Sequence, residues 1–247
     1  MRLADRVALV TGAAQGLGRT LAVALAAEGA DVIGLDVESQ DETAEAAAAG
    51  PGAFLGVRAD VTDPEAIAAA VATGIERFGR LHIVVNNAGI FPPIPFEKTS
   101  LDDLQRILRI NVEGPFIVTQ AALPALRRAG WGRIVNIASA VIFLGPPELV
   151  AYTTSKAALV GFTRSLASAL GPDNITVNCI APGLIDTATA ARSTGADGGF
   201  ERVIGLQVVP RQEHASDLVS TLVYVCDEGS AFLTGQTINV DGGSAKH

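Results

Sequence analysis

Cysteine is scarce in this chain of 247 residues: Cys179 and Cys226 are the only two, far apart and in no CxxC or Cys/His spacing. That speaks against a disulfide framework and a zinc site, and no metal is expected. Two isolated cysteines in apolar surroundings read as reduced and buried, as in a cytoplasmic protein. Positive charge is also short. A formal net charge of −8 argues against nucleic acid as a partner, because such binding rests on Lys and Arg that neutralise phosphates; Arg127-Arg128 is one local basic pair. No apolar run reaches bilayer length, and Val7–Val10 is too short for a signal-peptide core, so no membrane partner is expected. No Pro/Ser-rich linker divides residues 1–247, which read as a single domain. Apolar residues are plentiful, at 49% hydrophobic against 18% charged, enough for a sizeable core.

Apolar, β-branched runs alternate with Ala-rich stretches throughout. Strands are expected at Val7–Val10, Asp31–Asp36, Phe54–Arg58, Ile83–Asn86, Gly132–Ala138, Ile175–Ala181 and Thr237–Val240. Helices are expected at Leu17–Glu28, Pro64–Phe78, Leu101–Arg128, Tyr152–Leu170 and Ala215–Cys226. Continuous hydrophobic strands mark burial on both faces. Right-handed βαβ crossovers then give an α/β fold: a doubly wound parallel sheet of the Rossmann type, in three αβα layers. Asp63-Pro64 reads as an N-cap with proline at the first helical position, and Gly29 and Gly79 as left-handed helix ends. Residues 187–205 are rich in Ala, Gly, Ser and Thr without a clean period, and read as a mobile lid over a substrate.

Thr11-Gly12-Ala13-Ala14-Gln15-Gly16-Leu17-Gly18 links the first strand to the first helix. Gly12 permits a tight turn, Gly16 lets the main chain approach a phosphate, and Gly18 lets helix and strand pack closely. The helix N-terminus then offers N–H groups to a pyrophosphate. Asp36 ends the second strand, where a carboxylate accepts bonds from ribose hydroxyls and repels a 2′-phosphate. No Arg or Lys follows it, and Gln15 rather than a cation sits in the glycine loop, so NAD is the expected cofactor. Asp60-Val61 after the third strand would cradle the adenine. Asn86-Asn87-Ala88-Gly89 after the fourth lets the chain pass close to the cofactor.

Tyr152 and Lys156 are i and i+4, on one helix face. A neighbouring ammonium, together with a positive nicotinamide ring, is expected to lower the phenol's pKa and make Tyr152 a general acid–base. Lys156 would also hold the nicotinamide ribose. Ser139, just past a strand end, would donate to the substrate oxygen and orient it. Asn111, a poor helix former inside a helical stretch, would hold a water that links Lys156 to solvent.

From the glycine loop to Val240-Asp241-Gly242-Gly243, these motifs in order resemble the short-chain dehydrogenase/reductase family. The resemblance implies a catalytic tetrad of Asn111, Ser139, Tyr152 and Lys156. It implies cofactor contacts at Gly12, Gln15, Gly16, Leu17, Gly18, Asp36, Asp60, Val61, Asn87, Ala88 and Gly89. Further contacts fall at Tyr152, Lys156, Pro182, Gly183, Ile185 and Thr187. It also implies a homotetramer with the helices at Leu101–Arg128 and Tyr152–Leu170 between subunits. One departure is His82, where relatives commonly carry Asp; its role reads as structural. Within the family the chain is similar to NAD-dependent bacterial secondary-alcohol dehydrogenases of the (S)-1-phenylethanol dehydrogenase type, on Gly89–Phe96, Gly130–Ile134 and His247.

The expected pocket wall is Ala140-Val141-Ile142-Phe143-Leu144, Leu149, Phe91, Leu184 and the lid, with no Arg or Lys placed to clamp an anion. The expected substrate is therefore a neutral, hydrophobic ketone or secondary alcohol, aryl compounds included, and the expected enzyme an NAD-dependent alcohol dehydrogenase or ketoreductase. Rival readings are a 3-oxoacyl-[acyl-carrier-protein] reductase docking its carrier through Arg127-Arg128, a polyol or sugar dehydrogenase, and a non-catalytic nucleotide sensor.

Overall fold

Seven apolar runs pair side by side in a computed structural model that describes residues 1–188, 190–191 and 198–246. The strands are β1 (Val7–Thr11), β2 (Asp31–Asp36), β3 (Phe54–Arg58), β4 (Ile83–Asn86), β5 (Gly132–Ile137), β6 (Ile175–Pro182) and β7 (Thr237–Val240). All neighbours are parallel, in the order β3-β2-β1-β4-β5-β6-β7. Side chains of the central strands alternate between two cores, which is why β1 and β4 read as near-continuous hydrophobics, while the edge strands β3 and β7 are only partly buried. Ala8, Val10, Ile83 and Val85 face one core with Leu21, Leu25 and Leu222. Val7, Leu9 and Val84 face the other with Ile67, Val118, Leu126 and Leu170.

The helices are α1 (Gly16–Ala27), α2 (Asp41–Ala47), α3 (Pro64–Phe78), α4 (Leu101–Leu108), α5 (Gly114–Ala129), α6 (Val141–Leu144), α7 (Val150–Leu170), α8 (Gly199–Leu206) and α9 (Val219–Cys226). The expected ends hold. Asp63 accepts from Glu65 N–H and Ala66 N–H at 3.0 and 3.1 Å, and Gly79 closes α3 at φ 79°.

The single helix expected over Leu101–Arg128 is a correction. A π turn at Arg109–Glu113 separates α4 from α5. Pro115 cannot donate to the carbonyl four residues back, at Asn111, so the helical ladder widens there. Likewise Ala215–Leu218 forms a 3₁₀ turn before α9. Part of the expected lid, Thr189 and residues 192–197, lies outside the described residues, as does His247. Of the remainder, α8 is a regular helix. No helix among the described residues is long and apolar enough to cross a membrane.

Candidate active site

The strand order reverses between β1 and β4, and a cleft of about 1570 Å³ opens along the carboxyl ends of the strands. That is where doubly wound sheets bind ligands. Gly12, Gln15, Gly16, Leu17, Gly18, Asp36, Asp60 and Val61 line one half. Asn87, Ala88, Gly89, Ser139, Tyr152, Lys156, Pro182, Gly183, Ile185 and Thr187 line the other. Of the residues expected to act in catalysis or hold the cofactor, Asn111 alone stands behind the wall.

At the first half, glycine is dictated by contact. A Cβ on Gly18 would collide with Gly12 O, and one on Gly12, at φ 68°, would stand 2.8 Å from Asn87 Nδ2. The Thr11 hydroxyl accepts from both Asn87 N–H and Ala88 N–H at 3.0 Å, which ties the β1 loop to the β4 loop. Gln15 caps α1 without a side-chain bond, so the helix's leading N–H groups face the cleft. Asp36 accepts one N–H on each oxygen, from Ala14 at 2.8 Å and Glu38 at 3.1 Å. A carboxylate has lone pairs beyond these two for ribose hydroxyls. The Asp60 carboxylate accepts from Thr62 N–H and Thr62 Oγ at 2.8 and 2.9 Å. One cation was not foreseen: Arg19 also lines this half, but it donates to Ala14 O and pairs with Glu42 at 2.7 Å. The donor set, the glycine approach and the acidic rim fit an adenine dinucleotide.

At the second half, Ser139 is buried, accepts weakly from Val141 N–H at 3.4 Å, and stands near enough to the Tyr152 phenol to draw its pKa down. Lys156 Nζ donates to Ile137 O at 2.7 Å and lies 5.7 Å from the centre of the Tyr152 ring. The ammonium by itself does not lower the phenol; the expected lowering joined it to a positive nicotinamide ring. Burial pushes Tyr152 up to about 12, against a downward pull from Ser139, and burial pushes Lys156 down to about 8. Desolvation disfavours both charged forms, and neither group is among the causes of the other's shift.

Asn111, in the π turn, accepts from Ile90 N–H at 2.9 Å and donates to Ile90 O at 2.9 Å and to Ser155 Oγ at 3.0 Å. Ser155 Oγ in turn donates to Tyr152 O at 2.7 Å. A Cβ on Gly89 would meet Asn111 Oδ1 at 3.1 Å and Lys156 Nζ at 3.6 Å, so amide and ammonium share one neighbourhood. Ser155 escaped sequence reasoning, although its place three residues after Tyr152 was a usable signal. Glu213 escaped it too: it accepts from Gly183 N–H at 3.0 Å across thirty residues of chain.

The wall over the chemical end is apolar, from Phe91, Val141, Leu144, Leu149, Leu184, Val203 and Leu206. Two expectations are corrected here. Ile142 packs inward against Ala138, Val160, Cys179 and Ala181, and Phe143 is not on the wall. The absence of a basic residue also fails. Gly199, Arg202, Val203 and Leu206 form the cleft face of α8, and Glu148 lines the cleft as well. Among the described residues neither charge is in an ion pair.

Residues 12–245 match the family described as enoyl-(acyl carrier protein) reductase. Trans-4-hydroxycyclohexanecarboxylate dehydrogenase of Sinomonas cyclohexanicum is 36% identical over 98% of this chain and 93% of its own. The 3-oxoacyl-[acyl-carrier-protein] reductase of Aquifex aeolicus is 38% identical over 98% of both. Among solved structures, a short-chain dehydrogenase/reductase from Serratia marcescens superposes with a TM-score of 0.92, at 33% identity over 100% of both chains.

Proposed function

Because the chain belongs to the short-chain dehydrogenase/reductase family, we propose that it exchanges hydride between NAD(H) and a neutral, hydrophobic ketone or secondary alcohol, with Tyr152 as general acid–base. The observation that carries the reading is the meeting of Tyr152, Ser139 and Lys156 at the chemical end of a dinucleotide-shaped cleft. A nicotinamide bound there would supply the hydride in reduction and take it up in oxidation.

In reduction, Tyr152 gives its phenolic proton to the carbonyl oxygen while the Ser139 hydroxyl orients that oxygen. In oxidation, Tyr152 takes the alcohol proton. A phenol raised to about 12 by burial needs positive charge nearby for that task. Lys156 supplies part of it, and the charge of an oxidised nicotinamide would supply the rest. Asn111 and Ser155 fix the turn of α7 that carries both groups, and Asn111 stands close enough to Lys156 to order a water for proton return.

The adenosine end favours NAD over NADP. Asp36, Glu38 and Glu42 stand against a single cation, Arg19, which is already paired. The apolar wall favours a hydrophobic substrate over a polyol or sugar. Glu148 and Arg202 bring one charge of each sign, so the rim adds no net charge to attract an ion. Carrier-protein docking is disfavoured because Arg127 pairs with Asp173 at 2.8 Å. A homotetramer is supported by the exposed Phe116 of α5, whose ring lies 6.1 Å from Phe162 of α7.

The test is a panel of aryl and alkyl ketones with NADH and NADPH in parallel, product chirality included. Neutral aryl and alkyl ketones should turn over with NADH at least about tenfold better in kcat/KM than with NADPH, as expected for a carboxylate set against a 2′-phosphate. Turnover confined to carrier-linked substrates with NADPH would overturn the reading.

A further inference from the structure

The strip Pro182–Thr187 faces the cleft. Its start is tied to the sheet, with Pro182 O accepting from Ala140 N–H at 2.7 Å and Gly183 N–H reaching Val240 O at 3.3 Å, and the rest of its hold comes from one short segment. Asp186 N–H donates to Glu213 O at 3.0 Å, and Ile185 and Glu213 pair as a parallel bridge. Gln212 Nε2 donates to Leu184 O at 2.9 Å. The side chain of Glu213 adds the third tie, through Oε2 to Gly183 N–H at 3.0 Å. That tie requires glycine at 183, because a Cβ there would stand 2.5 Å from Glu213 Oε2. Glu213 itself does not line the cleft; it lines a separate cavity of about 210 Å³.

We infer that Glu213 is a positioning residue for the cofactor. Its side chain fixes Gly183, and with it the main chain that faces the nicotinamide end, without touching cofactor or substrate. The inference rests on the dinucleotide reading of the cleft.

The surroundings of this carboxyl support the inference. It is 4% exposed, and its Oε1 has no partner. Gln207 Oε1, a second buried oxygen without a partner, lines the same small cavity. A proton on Glu213 Oε1 turns one of these two acceptors into a donor. The charged groups near it are Asp217, Asp241 and Arg211, while His214, next in the chain, is exposed. Arg211 is committed to Asp217 by two bonds of 2.7 Å, and Asp241 accepts from Gly243, Ser244 and Ala245. Burial pushes Glu213 up to about 8, with Asp217 and Asp241 adding to it against the pull of Gly183 N–H and Arg211.

The sign of the pH effect follows. Between its ordinary value of 4.5 and about 8 the folded chain keeps a proton that the unfolded chain has lost. This contribution to stability therefore falls as pH rises through that window and then levels off. Above about pH 8 the ionised group is better solvated with the strip loosened, so the grip on the cofactor weakens.

The experiment is NADH binding by fluorescence titration from pH 6 to 10 for the wild type, Glu213→Gln and Glu213→Ala. Thermal unfolding of the same cofactor-free proteins is measured over pH 5 to 8. The wild-type Kd should rise about tenfold from pH 7 to 9.5. Glu213→Gln still accepts from Gly183 N–H and cannot ionise, so its Kd should rise less than that of the wild type, keeping only the share due to Lys156, which burial holds down to about 8, and its Tm should not share the wild-type decline. Glu213→Ala should bind NADH more weakly at every pH. A Glu213→Gln profile that tracks the wild type, or tight binding by Glu213→Ala, overturns this inference alone. Failure of the wild type to bind NADH at any pH overturns it together with the dinucleotide reading.

Discussion

The two ends of β5 each bury a cation beside an aromatic ring, and they treat it differently. At the amino end Arg133 is 1% exposed. Its guanidinium lies 4.0 Å from the centre of the Trp131 ring, and that of Arg6 lies 3.9 Å from the same ring. Arg133 donates to Gly132 O at 2.9 Å and to Asp227 O at 3.3 and 3.4 Å, and Arg6 pairs with Glu228 at 2.7 Å. At the carboxyl end Lys156 has one bond, to Ile137 O, and stands beside a phenol that burial has moved away from its ordinary range. The first cation is spent on stability. The second is kept short of partners, so its proton affinity and that of its neighbour respond to whatever enters the cleft. Such under-satisfied, perturbed groups in a cleft are how a fold gives up some stability for reactivity.

The sharpest way to break this contrast is Tyr152→Phe. It should lower kcat by about a thousandfold, as removal of a general acid–base does, while NADH still binds. A loss below tenfold, measured by steady-state kinetics beside a fluorescence titration, would remove the phenol from the chemistry. Next in size is Arg133→Met at the other end. Loss of the guanidinium's bonds to Gly132 O and Asp227 O and of its cation–π contact should together destabilise the fold by about 2 kcal/mol. That corresponds to a Tm about 5 °C lower, with kcat/KM at room temperature unchanged. A kinetic defect without a stability defect would show that the two ends are not separable.

The smallest effect belongs to His82, buried at the amino end. Its Nδ1 accepts from Val7 N–H at 3.0 Å, and its ring lies edge-on to Trp131. Burial first, then Arg6 and Arg80, holds it down at about 4. An acceptor ring must be neutral, so its contribution is complete above the unfolded value of 6.5 and is lost as pH falls toward 4. Urea unfolding at pH 7, 5.5 and 4.5 should show a steeper decline for the wild type than for His82→Asn. Parallel curves would sink that assignment.

The strands β2 and β4 were legible because burial on both faces leaves a mark along the run, and the partly buried edge strands β3 and β7 also lie where the sequence puts them. Asp63 and Gly79 were legible because capping is local chemistry. The π turn was harder to read, although Pro115 stands at its end, because periodicity carries on through Asn111. Arg202 on α8, like Glu213, reaches its place through packing between segments far apart in the chain. The effect of burial on these two groups was not legible for the same reason: spacing places Lys156 beside Tyr152, but it carries no measure of how dry that spot is.

By itself, the order of residues determined the alternation of strand and helix, the glycine turn at the head of α1, and the pairing of a phenol with an amine. These follow from periods of two to four residues, sterics at single positions and short-range hydrogen bonds. Only the folded chain decided that Asn111 braces α7 through Ser155, that Glu213 grips Gly183, and that desolvation moves Tyr152 and Lys156 away from their ordinary values. Those outcomes depend on which distant atoms exclude water from a given point, and that is a property of packing in three dimensions.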